Sequence, residues 1–214
     1  LFNTSMMVTA DEYGHSVGVT RDMCDAFAEE SHRRAREANR QSHLNGGDVL
    51  RGMFAFEAEN LGGDPIYLAH DECVRDTTVD ELSRLPGFTP NGLVSPGNAS
   101  EISDGAASLV VADRARAEEL GLPTRFEIVS YGIAGVEPRV MGRGPVPAIQ
   151  RALEQAGLSM DDIGLWEINE AFAAQAVGVQ KELKLESEKL NVNGGAVAIG
   201  HPLAATGGRL LVDL

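Results

Sequence analysis

The side chains best suited to chemistry are a histidine and an asparagine in the C-terminal part of the chain. His201 follows an apolar run that ends in Gly200, and it precedes Pro202, a residue that suits the first turn of a helix. The dipole of such a helix would keep the imidazole neutral. A neutral ring can accept a proton from a nucleophile or donate a hydrogen bond to a developing oxyanion near pH 7. The alternative is a buried, hydrogen-bonded turn residue.

Asn169 occupies an equivalent position, where a predicted strand gives way to a predicted helix. In open α/β sheets, ligands bind outside the carboxyl ends of the strands, so both side chains could face one crevice. For Asn169 the alternative is a plain helix N-cap, because asparagine is among the best capping residues.

The second half of the chain alternates predicted strands and helices, which indicates an α/β layer with largely parallel central strands. The predicted strands are an apolar strand that ends at 112, then 125–134, 163–168 and 192–199; the predicted helices are 113–120, 145–156, 171–183 and one that starts at Pro202.

The first half is less regular. An amphipathic helix is predicted at 20–40, with an arginine-rich second half that is either a solvated face or a phosphate-binding surface. Residues 41–98 are rich in Gly, Asn, Asp and Pro, with short predicted strands at 53–56 and 66–68 and a weak helix at 79–85. Such a segment forms a binding surface or lid, or has little order.

Composition limits the classes of partner and site. The 18 basic and 32 acidic residues give a net charge of -14, which argues against a nucleic acid partner. Cys24 and Cys73 lack metal-ligand spacing, so neither a metal site nor a disulfide framework is predicted. No apolar run is long enough for a membrane span, and a cytoplasmic or otherwise reducing compartment is expected. Because the chain starts at Leu1 and stops at Leu214 inside an apolar run, we expect a fragment of a longer polypeptide.

Several sequence motifs resemble the thiolase family in their order and approximate spacing. They are GNAS at 97–100 with DGAA at 104–107, MGRGPVPA at 141–148, NEAFA at 169–173, and NGG at 193–195 followed by GHPL at 200–203. The resemblance extends from residue 6 to the end of the chain and is strongest after residue 96. It implies an enzyme that makes or breaks a carbon–carbon bond between acyl groups carried on coenzyme A.

The resemblance also implies roles for individual residues. His201 would activate a nucleophilic cysteine and bind the thioester oxygen, and Asn169 would hold a water beside it, so that the two form an oxyanion hole. The positions implied to line the CoA thioester are Ser100 and Ala99 for the pantetheine arm, Met141, Phe172 and Met6 for the acyl pocket, and Arg75 for the nucleotide end. The CoA thioester is the substrate, and no permanently bound cofactor or metal is implied.

The sequence departs from the thiolase pattern in ways that matter. A thiolase uses two cysteines, a nucleophile and a proton donor, and neither Cys24 nor Cys73 has the matching surroundings. We therefore expect the 214-residue chain to be inactive by itself. Smaller departures are Ala204, where glycine is usual, and Glu101, whose negative charge would weaken CoA binding if it pointed into the site.

The fold implied by the resemblance is a layered αβαβα thiolase-like arrangement that is incomplete here. Residues 1–100 would form part of the loop domain, 101–121 the end of the N-terminal half, and 122–214 a truncated C-terminal half. The full-length protein is expected to be a homo-oligomer. The uncovered strands and helix faces would make the isolated chain unstable or dependent on a partner.

The competing hypothesis belongs to another class of function. The chain could be a non-catalytic acyl-CoA or lipid-binding relative of thiolases, or an interaction subunit, because it lacks both cysteines. That Asn169 and His201 are both present favours the enzyme.

Overall fold

The structure, a computed structural model, describes residues 4–44 and 56–214, with only the backbone described for residues 42–44 and 56. Two long helices open the described part, α1 (Met6–Ser16) and α2 (Arg21–Leu44). Helix α6 (Ala173–Leu183) packs against both of them. These three helices form the frame on which the rest of the chain is arranged.

The other elements are short. Strands β1 (Phe56–Glu59) and β2 (Pro65–Leu68) form an antiparallel pair in which Phe56 lies opposite Leu68. The remaining helices are α3 (Val79–Ser83), α4 (Arg114–Glu119), α5 (Pro145–Ala156), α7 (Ala196–Ile199) and α8 (Thr206–Asp213), with 3₁₀ helices at Pro138–Arg143, Met160–Asp162 and Ser187–Lys189.

The core has two apolar clusters that share helix α6. The first joins α1, α2, α6 and α7; its buried members are Ala10, Val19, Cys24, Ala28, Leu82, Leu93, Val94, Ala173, Ala174, Val177 and Val197. The second joins α6 to α5 and to the segment that follows α6; its members are Tyr13, Val146, Ile168, Val179, Leu183, Leu185 and Leu190. Helix α6 is therefore buried along most of its length, from Ala173 to Val179 and again at Leu183, as expected for a central helix.

A buried aspartate ties α1 to the loop that precedes the GNAS motif. Asp11 is only 5% exposed, and its Oδ1 accepts the backbone N–H groups of Leu93 at 2.8 Å and Val94 at 2.9 Å. Its Oδ2 accepts the hydroxyl of Thr89 at 2.6 Å. Three donors on one carboxylate compensate for its burial, and they fix the approach of the loop to the site.

Several sequence predictions are confirmed. The helix predicted at 145–156 has those bounds, because Pro145 starts it and Gly157 ends it with a left-handed φ of 68°. The helices predicted at 20–40, 79–85 and 113–120 correspond to α2, α3 and α4. The strand predicted at 66–68 is β2. Of the strand predicted at 53–56, residues 53–55 lie outside the described residues, and Phe56 begins β1.

The strand predicted at 192–199 is wrong, because Ala196–Ile199 is helix α7. A four-residue apolar run is compatible with a buried helix or a buried strand, and periodicity does not separate them. The helix predicted to start at Pro202 starts at Thr206, and the one predicted from 171 starts at Ala173. His201 therefore follows a short helix and does not begin one.

The predicted parallel layer is not formed in residues 4–44 and 56–214. The predicted strand at 163–168 has a single parallel bridge, between Trp166 and Leu190. The predicted strand that ends at 112 and the one at 125–134 have no strand partner among the described residues. Burial nevertheless alternates residue by residue from Ser130 to Val136, as in a strand with one covered face. The covered side lies on α5, where the Ser130 hydroxyl donates to the Ala152 carbonyl at 2.8 Å.

No helix in the two described ranges has both the length and the apolar character needed to cross a bilayer.

The apolar side chains of the two partnerless segments predict self-association. Each is between 60% and 92% exposed: Val110, Val111, Phe126, Ile128, Val129, Tyr131 and Ile133. We expect the 214-residue chain to form concentration-dependent oligomers and to bind a hydrophobic dye, because exposed strand-forming segments pair with other chains. Light scattering and dye fluorescence measure this.

Replacing Ile128 and Ile133 with lysine should reduce both signals. Leu61→Lys is the matched control, because Leu61 is fully exposed in the turn between β1 and β2. A monodisperse chain at high concentration without dye binding would contradict this prediction.

Candidate active site

Asn169 and His201 are in direct contact. The Asn169 Nδ2 lies 3.2 Å from the His201 Nε2, and both residues are partly buried. The His201 Nδ1 lies 2.7 Å from the Oγ1 of Thr206 in the first turn of α8. The backbone N–H of His201 donates to the Glu101 carbonyl at 2.8 Å. The ring is thus fixed at both nitrogens.

Burial lowers the pKa of His201, and the positive charge of Arg209 lowers it further. Both effects favour the neutral imidazole, by a cause different from the one used in the prediction. The prediction relied on the dipole of a helix beginning at Pro202, whereas α8 begins at Thr206.

The position of the pair depends on the buried carboxylate of Glu170, which is 1% exposed. Its Oε2 accepts the Ser31 hydroxyl of α2 at 2.7 Å and the backbone N–H of Val197 in α7 at 3.2 Å. Its Oε1 accepts the side-chain amide of Asn191 at 2.8 Å. Burial raises the pKa of Glu170, and these three donors oppose that effect by favouring the charged form.

Asn191 fixes the other side of the segment that carries Asn169. Its Oδ1 accepts the backbone N–H of Ile168 at 2.8 Å, and its Nδ2 donates to the Ile168 carbonyl at 2.9 Å. The same Nδ2 also reaches Glu170. One buried side chain therefore holds the residues on both sides of Asn169.

Two glycines allow the chain before α7 to approach α2 and Glu170 closely. Gly194 has a φ of 80° and lies directly against the backbone of α2, so that a Cβ there would collide with the Ser31 carbonyl. A Cβ on Gly195 would collide with the carboxylate of Glu170. The NGG motif thus brings the start of α7 against α2 and Glu170.

Three of the residues predicted to line the CoA thioester lie together on the GNAS loop and the NEAFA segment. Ala99 and Phe172 form an isolated antiparallel bridge. Ser100 donates to the Ala171 carbonyl from its backbone N–H at 3.1 Å and from its hydroxyl at 2.8 Å. The Ser100 hydroxyl proton is therefore engaged within the protein.

Glu101 links this loop to His201 and to Arg75. Its carbonyl accepts the His201 N–H, and its half-exposed carboxylate lies 3.8 Å from the Arg75 Nη1. The Nε and Nη2 atoms of Arg75 are buried and have no hydrogen-bond partner among the residues that the structure describes. The charge of Glu101 is thus partly offset by Arg75, which has N–H groups available for another acceptor.

Met6 and Met141 are about half exposed, at 49% and 46%. Helix α1 and the 3₁₀ helix Pro138–Arg143, which carry them, pack against each other. Their role in an acyl pocket remains a prediction.

Neither cysteine is an activated thiol. Cys24 is fully buried, and burial raises its pKa to about 12. Cys73 is partly buried beside Gly200 and Glu101, and burial followed by the Glu101 charge raises its pKa. A thiolate is therefore disfavoured at both positions.

A cavity of about 290 Å³ lies on the far side of Glu170, between α2, α6 and the loop that carries Asn191. Its lining includes Ser31 and Glu170 but neither Asn169 nor His201. The histidine–asparagine pair therefore lies outside this cavity. Within the described ranges, no three His, Cys, Asp or Glu side chains are grouped as a metal site.

Two family profiles match the chain over nearly its whole length. The profile described as thiolase, N-terminal domain, matches residues 1–115, and the one described as thiolase, C-terminal domain, matches residues 122–214. The chain belongs to the thiolase family. The contacts of the candidate site join the two matched regions: Ser31 lies in the first, and Asn169, His201 and Thr206 lie in the second.

Curated relatives agree with the family. The chain is 44% identical over 216 residues to the 3-ketoacyl-CoA thiolase of Idiomarina loihiensis, an alignment that covers 98% of this chain and 54% of the relative. It is 46% identical over 212 residues to the 3-ketoacyl-CoA thiolase of Saccharophagus degradans, covering 96% and 53%. The chain spans about half the length of the curated relatives it matches.

Solved thiolase structures confirm the predicted thiolase-like α/β fold. The acetyl-CoA acetyltransferase of Bacillus anthracis superposes with a TM-score of 0.92 at 38% identity, over 100% of this chain and 53% of that structure. Human mitochondrial 3-ketoacyl-CoA thiolase in complex with CoA superposes with a TM-score of 0.85 at 35% identity, over 98% and 51%.

Glu170, Asn191, Ser31 and Thr206 were not predicted as site residues. Glu170 has a sequence signal, because it is a charged residue directly before the mostly apolar stretch 171–179, and such a residue is buried only when it is paired or hydrogen-bonded. Ser31 and Thr206 carry no local signal, since their partners are distant or depend on the turn that follows His201.

Replacing Glu170 with glutamine should lower the free energy of unfolding by about 1–3 kcal/mol. The glutamine NH₂ group would face one of the groups that now donate a hydrogen bond to the carboxylate, so two donors would point at each other. Urea denaturation measures the loss. Glu188→Gln, at an exposed glutamate, is the control and should stay within about 0.5 kcal/mol of the parent chain. Equal stability of both variants would show that the amide fits the site.

Stability should also fall in acid because of His32, which is fully buried and accepts the Arg75 backbone N–H at its Nδ1. Burial, with Arg75 and Arg36 nearby, lowers its pKa from 6.5 to about 4. The unfolded chain then binds more protons below pH 6.5, so stability is lost as the pH falls from 6.5 towards 4, by roughly 3 kcal/mol.

Comparing unfolding free energies at pH 7 and pH 4 tests this. His32→Gln keeps an acceptor for the Arg75 N–H but does not titrate, so the variant should lose roughly 3 kcal/mol less than the parent chain between the two pH values. His15→Gln, the same substitution at an exposed histidine, is the control variant. The same pH dependence in the His32 variant would contradict the prediction.

Proposed function

We propose that this chain supplies the histidine–asparagine part of a thiolase site, which transfers acyl groups between CoA thioesters by cleaving 3-oxoacyl-CoA or condensing acetyl-CoA. The observation that carries the proposal is the 3.2 Å contact between the Asn169 Nδ2 and the His201 Nε2. The pair lies beside the GNAS loop, in a chain that belongs to the thiolase family.

In this proposal His201 has two tasks. The neutral imidazole accepts the proton of a thiol nucleophile, and the N–H so formed then donates to the thioester oxygen as negative charge develops on it. Asn169 places a second donor next to that oxygen. Burial supports both tasks, because hydrogen bonds to a developing charge are stronger where water is excluded.

The acyl-accepting thiolate does not come from Cys24 or Cys73, in which burial disfavours the ionised form. The chain's contribution is therefore carbonyl polarisation and proton transfer. The thiol nucleophile would be supplied by sequence outside the 214 residues.

The CoA thioester would lie along the GNAS loop and the NEAFA segment. Ala99, Ser100 and Phe172 are joined there by the bridge and the two hydrogen bonds from Ser100. Arg75 would donate from its Nε and Nη2 atoms to the nucleotide end of the substrate. Met6 and Met141 would provide apolar contacts for the acyl chain. No permanently bound cofactor is needed for this chemistry.

The proposal is tested with the full-length protein that contains this chain, by following CoA-dependent cleavage of acetoacetyl-CoA. His201→Ala should lower kcat at least about 100-fold, because it removes a proton acceptor and an oxyanion donor together. Asn169→Ala should lower kcat by about 100-fold. His15→Ala is the control, since His15 is exposed on α1, and its activity should be unchanged.

Equal rates for the wild-type protein and the His201 variant would contradict the proposal. Calorimetric binding of CoA by a wild-type protein that has no cleavage activity would support the non-catalytic alternative instead.

A further inference from the structure

The hydroxyl of Thr206 joins His201 to the turn that follows it. Thr206 is 4% exposed, and its Oγ1 lies 2.7 Å from the His201 Nδ1. The same hydroxyl donates to the Pro202 carbonyl, four residues earlier, at 3.1 Å. This is the usual bond of a threonine to the carbonyl one helical turn before it.

Together these contacts favour a proton on the Nδ1 of the imidazole. A hydroxyl has one hydrogen, and a carbonyl oxygen can only accept, so in its contact with Pro202 the Thr206 hydroxyl is the donor. The same carbonyl also accepts the backbone N–H groups of Ala205 at 2.8 Å and Thr206 at 2.9 Å. The Thr206 oxygen therefore accepts a hydrogen bond from Nδ1–H of His201. In the neutral ring the other nitrogen, Nε2, then carries the lone pair.

The contact on the opposite side of the ring agrees with this assignment. The Nδ2 of Asn169 is a donor, and it lies 3.2 Å from Nε2, where an unprotonated ring nitrogen can accept its N–H. Two neighbours on opposite sides of His201 thus favour one tautomer.

We infer that Thr206 is a positioning residue for the reaction. It holds His201 as the Nδ1–H tautomer, so that the Nε2 lone pair faces the Asn169 side as the proton acceptor. The inference rests on the proposed function for its catalytic consequence, whereas the tautomer itself is a property of this chain that can be measured separately.

The geometry also explains why a threonine suits this position. Its hydroxyl must donate to a backbone carbonyl and accept from the ring at the same time, which serine can do and valine cannot. Valine has nearly the shape of threonine and the same β-branching, so Thr206→Val removes the hydroxyl with little change in volume. Thr206→Ser keeps the hydroxyl and removes one methyl group.

The experiment measures the ring directly in the full-length protein labelled with ¹⁵N-histidine. The two nitrogen shifts and their proton couplings identify the tautomer, and the His201→Gln variant, which lacks the signal, identifies His201. We expect the Nδ1–H tautomer in the wild-type protein and in Thr206→Ser. In Thr206→Val we expect a substantial population of the Nε2–H tautomer.

The same variants are assayed for cleavage of acetoacetyl-CoA. Thr206→Val should lower kcat by about 10- to 100-fold with KM changed less than about 3-fold, because the ring is misoriented while the substrate contacts remain. Thr206→Ser should retain kcat within about 3-fold of the wild type. Thr124→Val is the control for the same chemical change at an exposed threonine, and it should alter neither readout.

The outcomes separate this inference from the proposed function. An Nε2–H ring in the wild-type protein overturns it, whether or not Thr206→Val folds. An unchanged tautomer or an unchanged kcat in a folded Thr206→Val protein also overturns it. If the full-length protein cleaves no 3-oxoacyl-CoA, the proposed function fails, and the ring measurement still decides whether Thr206 sets the tautomer.

Discussion

The carboxylate of Glu170 is the contact on which the position of both candidate catalytic side chains depends. It accepts hydrogen bonds from α2, from α7 and from Asn191, and it is almost completely buried. Burial of a charged group is unfavourable unless donors surround it, so each of the three segments must approach to the correct distance. Asn169 precedes this carboxylate directly, and His201 follows the helix that donates to it.

The contacts of the pair therefore extend from its immediate neighbours to the core. Asn191 and the two glycines of the NGG motif bring the NEAFA segment, α7 and α2 together. The GNAS loop reaches the same place because Asp11 and the bridge between Ala99 and Phe172 hold it there. The family motifs therefore contribute short polar contacts and glycines that allow close approach, and the side chains of Asn169 and His201 are held in contact with each other.

The sequence predicts the helices with strong end signals and the pairing of Asn169 with His201. Helix α5 is the clearest case, because Pro145 and Gly157 mark both ends. Helix α1 was not predicted, since its buried face mixes apolar residues with the polar Thr9 and Asp11, and the partners of Asp11 are distant in sequence. The 125–134 segment has a strand pattern, but a strand also needs a hydrogen-bonded neighbour. The hydroxyl of Thr206 could not be predicted either, because its role depends on the turn that returns it to the ring.

The hydrogen bond from Ser31 to Glu170 spans 139 residues, and this separation has a consequence for how the site forms during folding. Closing so long a loop costs chain entropy, and contacts between distant residues form slowly. The helices at either end can form early from local signals, whereas the carboxylate gains its donors only when they meet. The arrangement around His201 is therefore expected to form late in folding, and a partly folded chain would contain Asn169 and His201 without the contact between them.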